Sequence, residues 1–198
     1  MNGTGLSPLM FFCTQCAGLF VDLNNNLYCS THYPHQVVSQ SLDDPSNRMT
    51  IVAGTGCAGS SSNMLDSPQG IFVTISLDLY VADWGNNRIQ LFRRGELNAT
   101  TVAGNGASGT IVLREPTGVV LDADGYLFIV DSGKHRIIGS GPHGFRCVVG
   151  CSGSNGLASH QLYYPHMMSF DSEGNLFVAD TTNHRIQKFL LSNNTCGT

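Results

Sequence analysis

Three carboxylate–guanidinium pairs recur at one spacing in this chain: Asp83 and Arg88, Asp131 and Arg136, Asp180 and Arg185. A carboxylate at the mouth of a tight turn accepts the turn's backbone N–H groups, and an arginine five residues later lies back across it as a charge-assisted partner. A reactive centre occurs once and a scaffold feature repeats, so these are expected to be structural turn pairs. Cys13-x-x-Cys16, Cys29-x-x-His32 and His35 have spacings that a zinc site could use. Cys29, however, falls inside a predicted buried strand, where a thiol behaves as a small apolar residue, so no metal is expected there. Asp122-x-Asp124-Gly125 opens like a calcium loop but runs straight into Tyr126 and Leu127, too soon to supply the later ligands. It reads as a plain hairpin turn. No Ser/His/Asp or Cys/His arrangement marks a nucleophile, so no catalytic residue and no cofactor is expected.

The seven cysteines exceed what a cytosolic domain of this size commonly carries, and their odd number leaves at least one unpaired within the chain. Cys147 and Cys151 bracket a strand and its Gly-rich exit, a span that a disulfide closes if the turn brings the Cα atoms within about 6 Å. They are the first pair expected. Cys57 would take Cys13 or Cys16, and Cys196 would stay free or join a segment outside the chain. Candidate glycosylation sequons stand at Asn2, Asn98 and Asn193. Together these features point to an extracellular or secretory setting, although Met1 to Gly5 lacks the basic region and apolar core of a secretory signal. Ten basic residues against fourteen acidic, with a formal charge of −4 and Arg93-Arg94 as the only basic doublet, give no footprint for nucleic acid. No run approaches the roughly 18 to 20 apolar residues of a membrane helix, so membrane insertion is not expected.

The elements that must carry these residues repeat. Pro68-Gln69-Gly70-Ile71-Phe72-Val73 leads to Leu79-Tyr80-Val81-Ala82-Asp83 and Asn87-Arg88-Ile89-Gln90; matching strings begin at Pro116 and Pro165, and the aspartates Asp83, Asp131 and Asp180 lie 48 and 49 residues apart. A worn first copy runs from Cys16-Ala17-Gly18 through Leu27-Tyr28-Cys29-Ser30-Thr31 to Gln36-Val37, with Thr31 in the aspartate position and Gln36 in the arginine position. Each copy holds short apolar or β-branched runs bounded by Gly, Asn, Asp and Pro, the signature of strands joined by hairpins. The second run is apolar throughout, as in a strand covered on both faces, while Arg88 to Phe92 is expected to alternate. A fourth run, such as Thr101 to Gly104, closes the unit. Four antiparallel strands per period of forty to fifty residues is a propeller blade. The expected fold is all-β, with four blades at about 16–56, 67–106, 115–153 and 164–198. Residues 1–15, with the apolar run Leu9 to Phe12, form an N-terminal segment suited to complete a terminal blade.

The string Pro-x-Gly followed by three apolar residues, a Gly- or Asn-containing turn, then Leu-Tyr/Phe-Val-Ala-Asp-x-x-Asn-x-Arg-Ile-Gln resembles the NHL repeat, with Asn183-His184-Arg185-Ile186 the nearest match. The resemblance covers residues 16 to 198. It implies a β-propeller, commonly of six blades, so four copies imply an open arc or partial propeller in preference to a small closed ring. For function it implies a range: protein- or RNA-binding ubiquitin-ligase tails, bacterial sensor domains, secreted modules, and the zinc lyase that completes peptide amidation. The lyase would need histidines converging from separate blades. His135 and His184 share a register, but Asn87 replaces them in the second copy, and His32, His143, His160 and His166 share none.

The expected function is therefore a non-enzymatic binding module for a protein or glycan ligand, contacted through loops on one face. The variable stretches Thr55 to Leu65, Asn105 to Arg114 and Cys151 to Tyr163 all follow a fourth strand and would gather on one side. Trp84, Tyr163 and Tyr164 are the candidate contact residues, because large amphipathic rings bind at low entropic cost.

Overall fold

In the computed structural model, residues 15–46 and 48–190 are described, and strands account for nearly all regular structure. The first blade comprises β1 (Cys16–Val21), β2 (Asn26–Thr31), β3 (Gln36–Ser41) and β4 (Met49–Ala53). The second comprises β5 (Pro68–Val73), β6 (Leu79–Asp83), β7 (Arg88–Phe92) and β8 (Thr100–Gly104). The third comprises β9 (Pro116–Leu121), β10 (Leu127–Asp131), β11 (Arg136–Gly139) and β12 (Arg146–Val149), and the fourth β13 (Pro165–Phe170), β14 (Leu176–Asp180) and β15 (Arg185–Phe189). Each sheet is antiparallel with strands in sequence order. One-turn 3₁₀ helices at Trp84–Asn86, Ser132–Lys134 and Thr181–Asn183 join the second and third strands of the last three blades. Residues 1–14, with Cys13, Asn2 and the Leu9 to Phe12 run, and residues 191–198, with Asn193, Cys196 and the place of a fourth strand in the last blade, lie outside the described residues.

The blades are held together by facing apolar surfaces. Tyr28 and Val37 of the first blade meet Ile71, Val73, Leu79 and Val81 of the second. Ala82 and Ile89 meet Val119, Leu127 and Ile129, and Val130 and Ile137 meet Met168, Leu176 and Val178, so the same repeat positions build all three joints. Edge-on ring pairs, Phe20 with Phe72 at 5.2 Å and Phe128 with Phe170 at 5.0 Å, mark the first and third joints. Burying each such side chain stabilises by about 1.5–3 kcal/mol. β7 departs from the expected alternation: all five of its residues are buried, because a neighbouring blade covers each of its faces.

Blades approach most closely through their first strands, β1 beside β5, β5 beside β9 and β9 beside β13. This explains the glycine of the Pro-x-Gly motif. A Cβ at Gly70 would sit 2.6 Å from the Thr117 carbonyl oxygen of the next blade. In the fourth blade Met167 takes this position and is partly exposed. Among the described residues no comparable packing joins β13 to β1, so the blades form an open arc. One position registers the open end plainly: Val37, Ile89 and Ile137 are fully buried against the following blade, whereas Ile186 is 76% exposed.

Candidate ligand-binding face

The repeated charge pairs fasten loops. Arg88 Nε donates to Asp83 Oδ2 at 2.7 Å, while its Nη atoms donate to the carbonyls of Ser60, Ser61 and Met64 in the loop that enters the blade. Asp83 Oδ1 accepts the Asp66 N–H at 2.7 Å, and Asn86 Nδ2 bridges Asp83 Oδ2 and the Gly59 carbonyl. The third blade repeats the device, with Arg136 on Asp131 at 2.7 Å and on the Val112 carbonyl, and the Arg114 N–H on Asp131. In the fourth, Arg185 lies on Asp180 at 2.8 Å and on the carbonyls of Leu157, Ala158 and Gln161, and Asp180 accepts the Tyr163 N–H. Each variable loop is thus strapped to the turn between the second and third strands of its blade, and the three loops share one end of the arc. The first blade lacks the pair; Thr31 Oγ1 donates instead to the Gln36 carbonyl at 3.0 Å.

Burial drives the Asp83 and Asp131 carboxyls above their ordinary value, against the pull of the N–H donors and the arginine on each. At Asp180 burial acts the same way but is outweighed by Asn183, the Tyr163 N–H and Arg185, and the carboxyl lies low.

A second repeated device joins adjacent blades. His35, Asn87, His135 and His184, each immediately before the third strand, have left-handed backbones with φ between 53° and 59°. The Ser67 N–H donates to His35 Nδ1 at 3.0 Å, the Glu115 N–H to Asn87 Oδ1 at 2.7 Å, and the Tyr164 N–H to His135 Nδ1 at 3.2 Å. The three donors also have positive φ, so two strained turns are latched across every joint. Sequence reasoning noted that His135 and His184 align and missed the role. The usable signal was that His and Asn, the residues sharing this position, both offer an acceptor and both tolerate a left-handed backbone.

The expected aromatic residues fall into two clusters on this face. Trp84, half-buried, has its ring 6.3 Å from His32 of the first blade, and His32 in turn lies 3.2 Å from the Gln69 side-chain amide. Tyr163 and Tyr164 stack at 5.5 Å, and both meet the His135 ring edge-on at 5.4 and 4.6 Å. Beside the second cluster opens a cavity of about 400 Å³ lined by Lys134, His135, Arg136 and the Cys147 and Cys151 region. Burial, reinforced by the Arg114 charge, lowers the His135 pKa and keeps its ring neutral.

Two cysteine expectations need correction. Cys16 and Cys29 are at disulfide distance, with Cα atoms 5.5 Å apart, so Cys29 is not a lone apolar thiol and Cys16 is not the partner of Cys57. Cys16 opens β1 opposite Thr31, Cys29 lies opposite Leu19, and the register shifts between Cys16 and Gly18. Cys57 is exposed and has no cysteine partner among the described residues, and its expected pairing with Cys13 lies outside them. Cys147 and Cys151 are also at disulfide distance, with Cα atoms 5.7 Å apart. Asn98 is exposed and accepts a hydrogen bond from Ser62. Among the described residues no three His, Cys, Asp or Glu side chains group as metal ligands, and no helix is long and apolar enough to cross a membrane.

Residues 162–189 match the family model of the NHL repeat. No curated protein sequence matches the chain. Among solved structures, a chain of a nidogen/laminin complex is 20% identical with a TM-score of 0.66, over 88% of this chain and 60% of that one. An auxiliary nutrient binding protein from Bacteroides thetaiotaomicron is 17% identical with a TM-score of 0.65, over 87% of this chain and 47% of that one. A virginiamycin B lyase from Staphylococcus aureus is 13% identical with a TM-score of 0.59, over 93% of this chain and 58% of that one. The chain spans less than two thirds of the length of each of these structures.

Proposed function

We propose that this chain, an NHL-repeat β-propeller protein, is a non-enzymatic extracellular binding module that recognises a protein or glycan through the loops at 54–67, 105–115 and 150–164. The observation that carries this reading is the strapping of all three variable loops to one end of the arc by Arg88, Arg136 and Arg185. Loops free to vary in sequence yet fixed in place make a contact surface with little ordering cost on binding. Trp84 and the Tyr163–Tyr164 stack supply the large amphipathic rings that commonly anchor such surfaces. Two pairs of cysteines at disulfide distance support an oxidising compartment, in which Asn98 would carry glycan. Proteins with this fold include a member of a nidogen/laminin complex, a nutrient binding protein and a lyase, so the fold is compatible with recognition without fixing the function or the ligand.

The test is an array of glycans and extracellular proteins probed with the full chain, each hit being remeasured on Trp84→Ala and on the Tyr163→Ala, Tyr164→Ala double variant. A genuine ligand loses at least about tenfold in affinity on one of them. Hits that survive both substitutions would refute this face as the binding surface.

A further inference from the structure

The opposite end of the arc carries a different surface, independent of the loops just described. The turns between first and second strands, at 22–26, 74–78, 122–126 and 171–175, are built alike. Asp22 Oδ1 accepts the Asn24 and Asn26 N–H groups, Thr74 Oγ1 accepts that of Asp78, Asp122 Oδ1 those of Asp124 and Tyr126, and Asp171 Oδ1 those of Glu173 and Asn175. The second residue of each turn takes no part in this bonding. It is Ala123 in the third blade and Ser172 in the fourth, yet Leu23 and Ile75 in the first and second, where they stand 89% and 86% exposed. The turn has no need of these apolar side chains, and water penalises them.

Leu23 and Ile75 rim an apolar hollow of about 470 Å³, floored by Phe20, Val21, Phe72, Val73 and Leu121. It continues over Leu121, Asp122 and Ala123 into a second hollow of about 350 Å³ bounded by Asp122, Asp124, Asp171 and Glu173. In that half Lys188 lies 3.5 Å from Asp171, and Asn175 bonds both Asp171 and Glu173. Asp124 is exposed and its carboxylate has no partner among the described residues, and Asp122 uses only Oδ1 within its turn. Arg93, on the outer side of the second blade, is occupied by Asp78 at 2.6 Å. The surface therefore passes from apolar in the first two blades to acidic in the last two.

We propose that this groove binds an extended peptide segment carrying adjacent apolar side chains at one end and a lysine or arginine at the other. The apolar end sits between Leu23 and Ile75 over the Phe20–Phe72 pair, and the cation sits against Asp122 and Asp124. Sheets stack about 10 Å apart, so the two ends lie about 10–20 Å from each other, and an extended chain rising about 3.3 Å per residue covers that in about three to six residues. The groove is lined by side chains at the last residues of β1, β5 and β9 and by the turns that follow them, so recognition runs through side chains.

A displayed library of random heptapeptides selected on the full chain tests this, with the Leu23→Ser, Ile75→Ser variant as the subtraction. Both side chains stand in solvent, so the variant folds, which an unchanged melting temperature verifies. The expected result is enrichment of sequences with paired apolar residues and a lysine or arginine three to six positions away. Synthesised, acetylated and amidated, the leading peptide loses about tenfold or more in affinity on Leu23→Ser, Ile75→Ser. On Asp122→Asn, Asp124→Asn it loses about threefold together with most of its salt dependence. The proposal is overturned if enriched peptides lack the basic residue, if binding ignores the serine variant, if nothing enriches, or if sedimentation finds a self-association that the serine variant abolishes, which would make a second copy the occupant.

Discussion

The Tyr164 N–H donates to His135 Nδ1 across 3.2 Å, joining the third blade to the fourth at a point where both residues have positive φ. A glycine at 135 accepts the left-handed backbone and offers no acceptor, whereas asparagine offers both. His135→Gly is therefore expected to lower stability by about 1 kcal/mol, the ordinary value of one such bond, while His135→Asn stays within about half of that. Chemical denaturation of the three proteins decides it. Equal losses in both variants would mean that the imidazole contributes only its packing on Tyr163 and Tyr164.

The same latch is pH-sensitive, with a fixed sign. Burial and the Arg114 charge hold the His135 pKa below the 6.5 of the free side chain. The folded protein therefore binds fewer protons here than the unfolded chain, so the contribution is whole above pH 6.5 and lost as the pH falls through the folded value. Protonation also turns Nδ1 from acceptor to donor, facing the Tyr164 N–H. The stability difference between wild type and His135→Asn should shrink or reverse between pH 7 and pH 5, the other histidines cancelling in the comparison. A difference independent of pH would show that His135 does not titrate differently on folding.

The three arginine clamps are predicted to differ in worth according to burial. Their side chains are 7% exposed at Arg88, 21% at Arg136 and 29% at Arg185, while the aspartate partner is fully buried in each case. Removing Arg88 strands a buried carboxylate and frees three loop carbonyls, which places Arg88→Ala at the upper end, about 3–5 kcal/mol. Arg136→Ala should cost less and Arg185→Ala least, because solvent reaches the vacated site. Lysine cannot span Asp83 and the Ser60, Ser61 and Met64 carbonyls in one plane, so Arg88→Lys is expected to recover little. Hydrogen exchange in residues 59–66 should rise in Arg88→Ala before any global unfolding; unchanged exchange there would separate the clamp from the loop.

The four-blade all-β fold was legible because its signals are local: Pro68, Pro116 and Pro165 open equivalent strands, and the runs ending at Asp83, Asp131 and Asp180 are apolar through and through. Contacts between blades were less legible. The full burial of Gln90 and Phe92 depends on a neighbouring sheet, which strand alternation does not report. The approach of Cys16 to Cys29 depends on how β1 and β2 meet in space, which sequence spacing does not report. Leu23 and Ile75 carry no signal of their own in the sequence, and only alignment with Ala123 and Ser172 exposes them as out of place.

The cysteines yield a last prediction, bearing on compartment. Cys147 and Cys151 close a loop of about five residues, for which chain-entropy arguments give about 2 kcal/mol. Cys147→Ser, Cys151→Ser should lose about that amount under oxidising conditions and nothing relative to wild type in reductant. Without reductant, alkylation followed by peptide mapping should label Cys57 and leave Cys16, Cys29, Cys147 and Cys151 unmodified. Since Cys57 sits in the loop strapped by Arg88, its labelling rate also reports on that clamp and should rise in Arg88→Ala. Labelling of Cys16 and Cys29 in protein purified from an oxidising compartment would remove the main chemical argument for an extracellular module.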